Sequence, residues 1–306
     1  MTRRTLGTVI ALLLLLSVFS GIYLVINQKV DNTPLGVSVL PQRYIGVVDI
    51  CGQIYAPSSI KDFILKESHE SIIKTLKEFR RDSRVRGVIV RINSPGGTVG
   101  ATQEINAEIA RLQEAGKPVV ASIADMGASG GYYVAASCDK IVANPGSMLG
   151  SIGVIMTTSD MSELLKKVGI NMGIFKSGEF KDTGSFHRSV TEREEELLQE
   201  IVDNAYKQFV EHVSVGRDIP LEDVIKLAQG QIFTGEQAFG NNLVDYLGDF
   251  ERAHRVAEDL AGLKNTQILR TQYGKWGRWM DMAGSAGLPD LSALKGFEGI
   301  AYLYKP

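Results

Sequence analysis

A serine followed by two glycines, Ser129, Gly130 and Gly131, stands in the stretch DMGASGGYYVAAS at 125 to 137. A hydroxyl at the start of a helix gains the N–H groups and dipole of that terminus, which favour developing negative charge. Two roles fit such a residue, a helix N-cap and a nucleophile, and the stretch alone leaves them balanced. It shares the elbow logic of serine hydrolases without matching their G-x-S-x-G pattern. A second turn, NSPGGTVG at 93 to 100, sets Gly96 and Gly97 between an apolar run and a helical pattern. Glycines there let backbone N–H groups face outward with no Cβ in the way, as an oxyanion requires. A plain tight turn has the same signature.

A hydroxyl is a poor nucleophile until a base takes its proton. The chain has four histidines. His212 lies in a charged helical pattern, His69 lies among polar residues, and both are expected at the surface; His187, in KDTGSFHRSV, is the histidine candidate. Lysine is the other possible base, provided burial lowers its pKa by about three units, roughly 4 kcal/mol. The segment IFKSGEFKDTGS offers Lys176 and Lys181, each beside a phenylalanine. Residue chemistry does not choose between them.

The elements that must position these residues read as alternating strands and helices. YIGVVDICGQI from 44, RGVIVRI at 86 to 92, PVVASI at 118 to 123 and DKIVAN at 139 to 144 are β-branched or continuously apolar, as buried strands are. SIIKTLKEFRRD and a stretch from about 101 to 115 carry apolar residues at helical spacing. This rhythm predicts βαβ units with a parallel sheet, an α/β fold. From Thr191 onward helices dominate, the first opening on Thr191 and Glu194 at capping-box spacing. The last forty residues are glycine-rich and poorly periodic.

With 306 residues, 44% apolar and 22% charged, the chain has an ordinary globular balance. A net charge of −2 and the lack of a long basic run exclude a nucleic-acid footprint. Nineteen residues without a charge, TVIALLLLLSVFSGIYLVI at 8 to 26, are long enough to cross roughly 30 Å of hydrocarbon. Ser17, Ser20 and Gly21 would suit a cleaved signal peptide, but the apolar run continues to Ile26, which favours an uncleaved anchor. Arg3 and Arg4 orient residues 1–7 to the cytoplasm. Residues 27–43, with two prolines, read as a linker. Cys51 and Cys138 form no metal or disulfide pattern and read as two small buried apolar side chains.

Four blocks carry a resemblance. RGVIVRINSPGGTV, DMGASGGYYVAASCDKIVANPGSMLGSIGVI, FKSGEFKDTGS and GQIFTGEQAFGNNLVDYLG, in this order, resemble the signal peptide peptidases of the SppA type. Those are membrane-anchored serine proteases with a Ser-Lys dyad, and the likeness is to the short, single-repeat bacterial form. It runs from about residue 44 to 260. The resemblance implies a Clp protease/crotonase-like fold after one transmembrane helix, with a protease domain over 44–262 and a divergent tail over 263–306. It implies Ser129 as nucleophile and Lys181, the second lysine of K-S-G-x-x-K-D, as general base. Ser151 of the GSIG block would orient the lysine amine. The oxyanion hole would come from the N–H groups of Gly130 and a glycine of the Pro-Gly-Gly turn, Gly97 before Gly96. No metal or cofactor is implied. The expected substrates are residual signal peptides and other apolar peptides, and the expected partners are the lipid bilayer and further copies in a ring-shaped homo-oligomer. The implied location is the bacterial inner membrane, single-pass, with the catalytic domain on the extracytoplasmic side.

Two departures stand out. A second alanine is missing before the serine, and SFHRS replaces the family's proline after the lysine segment, which puts a histidine-assisted variant through His187 beside the dyad. Two other classes also fit a fold of this kind: a non-catalytic ring-forming scaffold, and an acyl-CoA enzyme using the Pro-Gly-Gly turn.

Overall fold

The computed structural model describes residues 43–56, 69–270 and 301–303. The apolar run at 8–26 expected to form an anchor, and the segments flanking it, 1–7 and 27–42, lie outside the described residues. Among the described residues no helix is long and apolar enough to cross a membrane.

The apolar runs form the strands expected of them. β1 (Tyr44–Cys51), β2 (Val85–Ser94) and β4 (Val119–Ala128) lie parallel, with Val48 opposite Val90 and Ile92 opposite Ile123. Helix α1 (His69–Arg81) connects β1 to β2, and α2 (Val99–Glu114) connects the short strand β3 (Gly96–Thr98) to β4. The α/β expectation with a parallel sheet is met. The sheet has eight strands among the described residues.

Continuous apolar sequence reflects burial on both faces, and alternate residues serve different layers. Val48, Ile50, Val88, Val90, Val119 and Ala121 pack with α1, α2 and the helices that follow. Ile45, Val47, Ile89 and Val120 point the other way, onto Ala253, Val256 and Ala257 of α8 (Phe250–Ala261). Each of these valine and isoleucine side chains contributes about 1.5–3 kcal/mol by leaving water. Asp249 caps α8 through its side chain, and Gly262 ends it in the left-handed conformation that glycine adopts freely.

β4 is where the sheet divides. Its first half pairs with β5 (Lys140–Ala143), Ile123 opposite Ala143, and its end pairs with β6 (Met148–Gly150), Ala128 opposite Gly150. Between these strands runs α3 (Gly130–Ala135), wholly buried. β6 continues to β7 (Ile232–Thr234), antiparallel, and β8 (Tyr246–Leu247) extends β5. The glycine-rich C-terminal region supplies two further strands that its sequence did not announce. β9 (Gln267–Arg270) joins the edge of β1, and β10 (Ala301–Leu303) pairs antiparallel with β3.

From about 155 to 190 the chain leaves the sheet as an arm. It holds α4 (Ser162–Lys167), which buries none of its residues, and a 3₁₀ turn, Glu179–Asp182. Ile155, Met161, Leu164, Val168, Ile170 and Phe175 are exposed on it, Phe175 completely. The arm returns into α5 (Glu192–Arg217), whose first turn has the capping box read from Thr191 and Glu194. α6 (Leu221–Leu227) and α7 (Gly235–Gly240) complete the element order.

Candidate active site

Ser129 is the single residue between the end of β4 and the start of α3, at φ 51° and ψ −117°. An L residue rarely takes a positive φ, and holding one there costs of order 1–3 kcal/mol. Two backbone bonds impose it. The Ser129 N–H donates to Gly150 O at 2.8 Å, and its carbonyl accepts from Tyr133 N at 2.8 Å. Ser129 therefore occupies the N-cap position, yet its hydroxyl makes no capping bond. The side chain is left for another role, in a site where the residue is 1% exposed.

The Pro-Gly-Gly turn lies directly against this junction. A Cβ added to Gly130 would stand 3.0 Å from Gly97 N and 2.9 Å from Thr102 Cγ2. A Cβ on Gly97 would stand 1.7 Å from Ile54 O, because β3 runs beside Ile54 with backbone bonds on both sides of Gly97. Both positions require glycine for lack of room. The Gly96 N–H donates to Ser94 Oγ at 3.1 Å, so Gly97 is the glycine whose amide nitrogen faces Gly130.

Ser151 follows Gly150, whose carbonyl holds the Ser129 amide. It too has a positive φ, 48°, and its N–H donates to Gln231 O at 2.8 Å. The structure thus brings Ser129, Gly130, Gly97 and Ser151 to one end of β4 and β6. Lys181 is not part of that group within one chain. It is exposed on the arm in the 3₁₀ turn, and its amine makes no hydrogen bond to Ser129 or Ser151. Lys176 is engaged instead, donating to Asp182 Oδ1 at 2.8 Å and to Glu179 O at 2.9 Å.

Three readings of single residues need correction. His69 is 5% exposed, with Nδ1 3.1 Å from Tyr55 O and Nε2 2.6 Å from Glu104, because the start of α1 packs on α2. His212 stacks on Tyr133 and lies 3.0 Å from that residue's carbonyl; burial pushes its pKa down. Cys51 is exposed, at the end of β1 where the chain turns out, whereas Cys138 is buried as expected. His187 is largely enclosed, and its Nε2 has no hydrogen-bond partner among the described residues. No group of three or more His, Cys, Asp or Glu among the described residues could hold a metal ion.

The family model for peptidase family S49 matches residues 111–264, half of the chain, and spans Ser129, Ser151 and Lys181. The chain belongs to peptidase family S49. This S49 peptidase is 43% identical over 205 residues to a putative protease of Synechocystis sp., covering 67% of the chain and 73% of that relative. It is 35% identical over 258 residues to a putative protease of Methanocaldococcus jannaschii, with 83% and 81% covered. A putative signal peptide peptidase SppA of Enterococcus faecium is 39% identical over 186 residues, with 61% and 54% covered. The S49 chain is thus a peptidase of the SppA type.

Sequence reading missed the ion network that anchors the arm. Arg188 bonds both Asp182 and Glu194, and Arg193 bonds Glu179. The one visible signal was the Thr191 and Glu194 capping box, since Glu194 is also the end of this network.

Proposed function

We propose that this S49 peptidase is a membrane-anchored serine endopeptidase of Clp protease/crotonase-like fold. It cleaves residual signal peptides and other apolar peptides through Ser129, Lys181 and an acyl-enzyme. The observation that carries the reading is the strained Ser129, its hydroxyl unused for capping and Gly97 N set against Gly130.

Neutral Lys181 takes the Ser129 proton while Oγ attacks the peptide carbonyl, and Ser151 holds the amine in line. The N–H groups of Gly130 and Gly97 stabilise the tetrahedral anion. The lysine ammonium then protonates the leaving amine, and water repeats the sequence on the ester. An extended substrate fits this site because β3 already accepts an antiparallel strand at Gly96–Thr98. The exposed apolar side chains of the arm support a ring-shaped homo-oligomer, in which Lys181 meets the Ser129 of its own chain or a neighbour's and is desolvated there. The apolar span at 8–26 supports the anchor, with the catalytic domain outside the bacterial inner membrane.

Labelling with a fluorophosphonate tests the assignment. Ser129 in the full chain should be modified, while Ser129→Ala and Lys181→Ala should each remove labelling and lower peptide cleavage by at least about 10³-fold. Normal turnover by Lys181→Ala would sink the dyad. The lack of a Ser129–Lys181 bond in one chain favours a second reading, a ring-forming scaffold without turnover. Failure of the assembled wild type to label would favour it over the peptidase mechanism.

A further inference from the structure

The residue after Lys181 is an aspartate. A carboxylate beside an amine that must give up its proton is a liability, because it favours the ammonium form. Both oxygens of Asp182 are already taken. Oδ1 accepts from Lys176 Nζ at 2.8 Å and from Arg188 Nη2 at 2.7 Å, and Oδ2 accepts from Arg188 Nε at 3.0 Å. Arg188 reaches on to Glu194, with Nη2 2.5 Å from Oε1 and Nη1 2.8 Å from Oε2. Glu194 is 1% exposed in the first turn of α5, where it also caps Thr191 and accepts from Thr183 Oγ1. One guanidinium therefore joins a fixed helix start to the turn that carries Lys181.

The remaining charges of the region are satisfied in the same way. Glu179 accepts two bonds from Arg193, at 2.8 and 2.9 Å. Asp160 accepts from Ser189 Oγ and Ser162 N. His187 Nε2 lies 3.9 Å from Asp182 Oδ2, outside hydrogen-bond distance. Every one of these carboxylates is engaged, and the Lys181 amine is paired with none of them.

We propose that Arg188 is the positioning residue of the dyad: it fixes the Lys181 turn onto α5 and holds Asp182 away from the Lys181 amine. This rests on Lys181 being the general base. Arginine suits the task because its planar fork serves two carboxylates at once, which a lysine cannot do. Asp182 and Glu194 are held well below the ordinary carboxylate range, chiefly by their bonds to Arg188, so the clamp does not titrate where the enzyme works.

The test compares pH profiles of kcat/KM on an apolar fluorogenic peptide, using the full chain. Arg188→Gln releases Asp182 from α5 and leaves Lys176 as its remaining partner, and should move the acid limb up by about one pH unit, with about tenfold loss of rate on that limb. In Arg188→Gln/Asp182→Asn the limb should return to its wild-type position. An unmoved limb in Arg188→Gln, or a shift that persists in the double variant, overturns the proposal. If Arg188→Gln does not fold, Arg188→Lys carries the test: kcat should fall about tenfold with KM unchanged, and an unchanged kcat overturns it. Lys181→Ala is run alongside. Activity in that variant defeats the dyad itself, whereas an inactive Lys181→Ala with an unmoved Arg188→Gln profile defeats only the clamp.

Discussion

At Ser129 the backbone stores strain that a different side chain would release. The φ of 51° is enforced by bonds to Gly150 and Tyr133, so the residue cannot relax without breaking one of them. Glycine takes that conformation without a Cβ clash, at the cost of roughly 0.5–1 kcal/mol of extra unfolded-state entropy. Against strain of about 1–3 kcal/mol, the balance favours glycine. Ser129→Gly is expected to raise the Tm by a few degrees, since about 1 kcal/mol moves a domain of this size by ~2–4 °C. The same variant should lose fluorophosphonate labelling. Calorimetry of the two proteins side by side checks it, and an equal or lower Tm would show that the neighbouring elements, not Ser129, absorb the strain. A stability gain coupled to a loss of chemistry separates a functional serine from a structural cap, whose removal costs about 1 kcal/mol.

The arm is held by charge, and its acid response follows from the sign of the shifts. Asp182 and Glu194 have folded-state values depressed by their bonds to Arg188. Their contribution is complete above the unfolded carboxylate values near ~4 and is lost as pH falls through the lower folded values. Resistance of the 155–190 segment to limited proteolysis should be constant from about pH 8 to 5 and fall below about pH 4. Loss already near pH 6 would point to a histidine as the weak link. The sheet and the helices could be read from the sequence because their signals are periodic. Ile45, Val47, Val48 and Ile50, and Val88, Ile89, Val90 and Ile92, put apolar side chains on both faces of their strands because both faces are buried, and Thr191 with Glu194 announced α5. Ser129 and the two glycine turns stood out by residue type and Ser151 through the family resemblance alone, and the structure draws them to one end of β4 and β6. The arm was not legible, since ion pairs across a non-helical loop have no period. His69 and His212 were misread for a related reason: their partners Glu104 and Tyr133 are distant in sequence. β9 and β10 are edge strands of few residues, too short to show alternation.

On the scale of the whole molecule, the C-terminal residues occupy the edge that a substrate would need. Ala301 stands opposite Thr98, Tyr302 opposite Gly97 and Leu303 opposite Gly96, while the other edge of β3 is held by Ile54. An extended peptide binding beside Ser129 would gain its backbone hydrogen bonds from that same edge, which β10 fills. Two strands cannot share it. A tethered segment competes at an effective concentration on the order of millimolar, enough to mask a site with weak affinity for short peptides. Removing residues 301–306 should therefore lower KM for a short fluorogenic peptide several-fold and leave kcat unchanged, because the tail blocks binding and takes no part in the chemistry. A synthetic GIAYLYKP peptide should inhibit the shortened chain competitively. If KM stays the same after truncation, β10 does not compete for the substrate edge. If kcat falls instead, the tail supports the oxyanion turn and does not block it, since the contact that pairs Tyr302 with Gly97 would then be holding that turn in place.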